Sequence, residues 1–62
     1  MDPRERRQHQ LFGMVDTRRT DLLRLYRHLT GSKPPAGMPI PQVIQVIVDR
    51  EFQRRELYGA TG

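Results

Sequence analysis

Apolar residues recur along this chain in three clusters, separated by two stretches that break the rhythm. In the middle cluster Leu22, Leu25, Tyr26 and Leu29 follow one another at steps of three, one and three, with Leu23 towards the flank. That spacing places them on one face of a helix and leaves Arg24, Arg27 and His28 on its polar side. Gly31 then supplies a left-handed stop. Pro34, Pro35, Pro39 and Pro41 exclude helix between Gly31 and Pro41, because each locks φ and drives its predecessor towards extended geometry. Pro41 suits the first position of a new helix, where its missing N–H costs nothing.

In the third cluster Ile40, Ile44, Val48 and Phe52 run at four-residue steps, with Val43 and Ile47 alongside. The β-branched run at 43–48 also suits a buried strand. The proline start, the helical period and the unbroken continuation through DREFQRREL favour a helix over about 41–58, which Gly59 ends. Glu51 and Arg55 stand in it as an acid-before-base pair four residues apart.

The first cluster is the shortest. Asp2, Pro3 and Glu5 form a helix start, with a cap, a first-position proline and a capping-box acid. Arg4, Arg6 and Arg7 read as a frayed, solvated end. Leu11, Phe12, Met14 and Val15 look like an anchor without an obvious partner inside the chain. Gly13 among them lowers helix propensity by about 1 kcal/mol against alanine. Asp16, Thr17 and Thr20 are capping candidates for the next helix. The preferred reading has helices at about 3–15 and 18–30 with a break near 16–20. A continuous helix over 3–30 would also put Leu11, Val15, Leu22, Leu25 and Leu29 on one stripe, interrupted by Arg18. The expected fold is all-α: a single small domain of two or three short helices, in a helix–extended loop–helix layout with a proline-rich spacer over 31–40. Residues 60–62 read as a loose tail.

Composition adds a constraint on size. The 62 residues are 35% hydrophobic, with no tryptophan and no cysteine. A core this small is marginal by itself, so self-association as a homodimer is expected. The lack of cysteine excludes a disulfide scaffold and thiolate zinc sites, and fits a reducing cytoplasm. No apolar run approaches membrane-spanning length, and MDPRERR lacks the apolar core of a signal peptide.

Charge changes the picture most. The formal balance is +4, and ten of the eleven cations are arginine. Arginine favours bidentate contacts to phosphate and carboxylate. A basic chain this short points to an anionic partner, most simply nucleic acid. Backbone-phosphate contacts fall to Arg24, Arg27, His28 and Lys33 around the second helix, and to Arg50, Arg54 and Arg55 on the third. Base reading has little to work with, since asparagine is absent. The opposing reading pairs Arg24 and Arg27 with Asp21, and Arg54 and Arg55 with Glu51. Tyr26, Phe52 and Tyr58 read as core or dimer contacts before stacking platforms. Catalysis finds no footing: His9 and His28 are the only imidazoles, a metal would need both to converge with a carboxylate such as Asp49, and no acids are spaced as a catalytic pair. Gly31 and Gly37 flank prolines and form no phosphate loop. A non-enzyme without cofactor or metal is the expectation.

Residues 20–59 resemble a family of short bacterial prophage proteins of unknown function. The pattern is a leucine-rich helix with an aromatic near its end, a Gly then Pro-Pro spacer, a second helix with a glutamine, and a closing glycine. Leu22, Leu25, Tyr26, Gly31, Pro34, Pro35, Ile44, Val48, Gln53 and Gly59 match it, while Asp49 and Arg50 stand where an alanine and an aromatic are usual. The layout is also similar to SAP-type helix–extended–helix nucleic-acid-binding motifs, through Gly37 and the pair Val43-Ile44. The lysine usual before that pair is replaced by Pro41 and Gln42, so a backbone cation would come from Lys33 or an arginine. The resemblance implies a mobile-element setting. From the arginine-heavy balance and the helix–spacer–helix layout, the expected activity is regulatory nucleic-acid binding, to DNA before RNA. The alternative is a protein-interaction module, docking on a host or phage protein or on a second copy through Leu11, Phe12, Val15, Phe52 and Tyr58. A membrane-surface role ranks last, because the basic stretches contain acids.

Overall fold

A chain with three apolar clusters and one long uninterrupted period builds its core around the longest helix. The computed structural model describes the backbone of residues 2–59 and the side chains of residues 2–54. It contains α1 (Pro3–Phe12), α2 (Arg19–Thr30) and α3 (Ile40–Gly59), with no strand among the described residues. The fold is all-α. The β-branched run at 43–48 lies wholly within α3. Its side chains favour helix here because Val43, Ile44, Ile47 and Val48 all reach the core from one face.

α3 packs against both α1 and α2, which barely touch each other. The core is Leu11 from α1, Leu22 and Tyr26 from α2, and Val43, Ile44, Ile47 and Val48 from α3. Met14, Val15, Leu25, Leu29, Met38, Ile40, Val46 and Phe52 pack around it. Burying one such Leu, Ile or Val contributes about 1.5–3 kcal/mol relative to leaving it exposed.

Four expectations need correction. The first helix ends at Phe12, not near residue 15. Met14 and Val15 donate to the carbonyls of Leu11 and Phe12 at 3.0 and 3.2 Å, which tightens the chain into turns over 13–17. Asp16, Thr17 and Thr20 do not cap α2. Arg18 stands at its N-cap, and the Arg18 carbonyl accepts the N–H groups of Asp21 and Leu22. Asp2 precedes α1 without a side-chain cap bond. Finally, α3 starts at Ile40, so Pro41 is its second residue. The Pro39 carbonyl accepts from Gln42 and Val43, and the proline nitrogen still sits among the first four positions, where no intrahelical acceptor exists.

The spacer is only partly extended. Gly31 takes φ 86° and donates to the Arg27 carbonyl at 2.7 Å, closing α2 as a left-handed cap. Further on, Met38 donates to the Pro35 carbonyl at 3.1 Å, with Gly37 at φ 88° in the third position of that turn. The turn folds Met38 back onto the core.

Candidate anion-binding surface

The inward faces of the helices turn polar beyond the core. On α3, Glu51 stands four residues after Ile47 and seven after Ile44, in phase with the buried stripe. On α1, Arg7 and Arg4 stand four and seven residues before Leu11, in phase with the residue that α1 buries most completely. Arg7 accordingly meets Glu51 edge-on: its Nε donates to Oε1 and its Nη2 to Oε2, each at 2.9 Å. The Arg7 Nη1 donates to Gln10 Oε1 at 3.2 Å. Hydrogen bonding to Glu51 holds the Arg7 guanidinium above its ordinary range, against the burial that would lower it. Arg4 reaches Asp49 at 3.5 Å and lies 5.5 Å from the centre of the Phe52 ring. Arg4 and Arg7 are therefore not a solvated fringe; they bind α1 to α3.

These contacts settle the use of the acids. Asp21 pairs with Arg18 at 3.4 Å, not with Arg24 or Arg27. Glu51 is taken by Arg7, not by Arg54. Among the described residues no carboxylate lies within ion-pair distance of Arg24, Arg27, Lys33, Arg50 or Arg54. Among the residues whose side chains are described, the acids outside these pairs are Asp2 just before α1, Glu5 within it and Asp16 in the turns that follow. Among the described residues, cations without an ion-pair partner therefore lie mainly on α2, the spacer and α3, with Arg6 on α1.

Because α1 and α2 each pack on α3 and barely on one another, an open groove of about 620 Å³ lies between them. Pro3, Arg6, Arg7 and Gln10 form the α1 wall, and Leu25, His28 and Leu29 the α2 wall. Glu51, Phe52 and Arg54 come from α3. With Glu51 neutralised by Arg7, the groove keeps Arg6, Arg54 and His28 around the half-buried Leu25, Leu29 and Phe52.

Of the sequence-derived phosphate contacts, the groove unites His28 and Arg54. Arg24, Arg27, Lys33 and Arg50 are exposed outside it. Arg55 and Tyr58 fall outside the residues whose side chains are described. Of the proposed apolar interface, Leu11 is fully buried and Val15 packs against the core, while Phe52 both packs against the core and lines the groove. Phe12 is 48% exposed and stays available. Arg6 and Arg7 went unrecognised in the sequence, although the phase of Arg7 with Leu11 and of Glu51 with Ile47 was there to read.

Among the described residues no cluster of three His, Asp or Glu side chains is placed to hold a metal. No helix of the described residues is long and apolar enough to cross a membrane. No family model, curated protein or solved structure matches this chain.

Proposed function

We propose that this chain is a small non-catalytic protein that binds nucleic acid through its phosphate backbone. The observation that carries the reading is charge segregation. Arg24, Arg27, Lys33, Arg50 and Arg54 have no acidic partner among the described residues, while the nearby Asp21, Asp49 and Glu51 are each engaged elsewhere. Arginines left without partners keep their donor edges for phosphate oxygens. The phage or mobile-element setting rests on the resemblance of residues 20–59, and regulatory binding to DNA before RNA is proposed from the arginine-heavy balance and the helix–spacer–helix layout.

Less supports docking through apolar helix faces. Leu11 lies inside the core, and single exposed side chains such as Phe12 and Leu23 are normal on a monomer. Fluorescence polarisation with labelled oligonucleotides at low salt tests the proposal. Replacing Arg27 and Arg54 together by glutamate should weaken binding at least about tenfold and leave the helical circular dichroism unchanged. Equal binding by the charge-reversed protein would refute it.

A further inference from the structure

We infer that the groove between α1 and α2 receives an unpaired nucleotide, so that the protein prefers single strands to duplex. The inference rests on the phosphate-contact reading and adds the form of the polymer. A duplex offers phosphates while its base faces stay stacked inside. Phosphate contact alone makes no use of the half-buried Leu25 and Leu29 on the α2 wall, because apolar side chains gain nothing from an anion. Its volume of about 620 Å³ lies in the range of sites that enclose a small organic molecule. Its rim carries Arg6, His28 and Arg54, and Glu51, the acid among its described lining residues, is already neutralised by the bidentate bond from Arg7. The unit that satisfies both surfaces is a flat apolar body joined to negative groups on either side. An unpaired nucleotide within a strand is such a unit: its base lies against the leucines and Phe52, and its flanking phosphates meet Arg6 and Arg54.

The positions of the cations favour a polymer over an acidic peptide. Arg50 precedes Arg54 by one helical turn on α3, and Arg24 precedes His28 by one turn on α2. Positive charge therefore continues beyond the groove along two helices, which suits a chain with an anion at every repeat.

The test compares a labelled short oligothymidylate, the same strand with abasic sites throughout, and a duplex of equal length, all by polarisation at low salt. The expected result is about tenfold or more tighter binding of the thymidylate than of the abasic strand, with the duplex also weaker. Arg6→Glu, an exposed groove position without an ion-pair partner among the described residues, should weaken the thymidylate and the abasic strand together, whereas Leu29→Gln on the apolar wall should remove the difference between them. Arg24→Glu, outside the groove, should weaken all three ligands alike. Equal affinity for the three ligands would overturn the groove assignment and leave phosphate binding standing. Absence of binding to any of them would remove both. Displacement of the thymidylate by a leucine–aspartate peptide at lower concentration than by unlabelled thymidylate would assign the groove to a protein partner and overturn the inference.

Discussion

Two glycines show how differently one residue type can act within this chain. Gly31 closes α2 at φ 86°, and a Cβ added there would meet nothing within 4 Å. The cost of Gly31→Ala is therefore purely conformational, and urea unfolding should show a loss of about 1 kcal/mol. Gly13 has φ −65°, and an added Cβ would make ordinary contacts at 3.4 and 3.7 Å. Gly13→Ala should raise stability by about 0.5 kcal/mol, because it restricts the unfolded chain at no steric cost. Glu51 offers a second contrast of sign. Glu51→Gln removes a partly exposed bidentate pair, which should cost about 1 kcal/mol. The same change adds a positive charge to the groove, so oligonucleotide affinity at low salt should rise. A fall in both quantities would contradict the placement of Arg7 on the groove wall.

At the scale of elements, α3 is the spine on which the other helices lean. Ile47 is fully buried on it, and Ile47→Ala should cost about 2–4 kcal/mol. For a chain whose total stability is expected at roughly 3–9 kcal/mol, that is a large fraction, and the urea midpoint followed by circular dichroism should fall markedly. What could be read from the sequence follows the strength of local signals. The four-residue period through Ile40, Ile44 and Val48 outweighed β-branching, and Gly31 ended α2 as its backbone freedom required. The turns over 13–17 were placed too late, because Met14 and Val15 continue the apolar rhythm while no longer belonging to a helix. Their side chains reach the core from turns instead. The start of α2 escaped because no side chain caps it: Arg18 stands at the N-cap and makes no side-chain cap bond. The groove was the least legible feature. It exists only because α1 and α2 both lean on α3 and not on each other, which depends on contacts between residues more than forty positions apart, such as Arg7 with Glu51.

For the whole molecule, the formal charge of +4 matters less than where that charge is left unpaired. Acids and arginines interleave in sequence, yet folding uses Asp21, Asp49 and Glu51 internally and leaves Arg24, Arg27, Lys33, Arg50 and Arg54 facing solvent. The most direct test is the affinity for a short single strand measured across a range of salt concentrations. With three to five phosphates neutralised, log affinity should fall linearly with log salt, at a slope of roughly −2 to −3.5. An affinity that does not change with salt, or no binding at the lowest salt, would contradict the account.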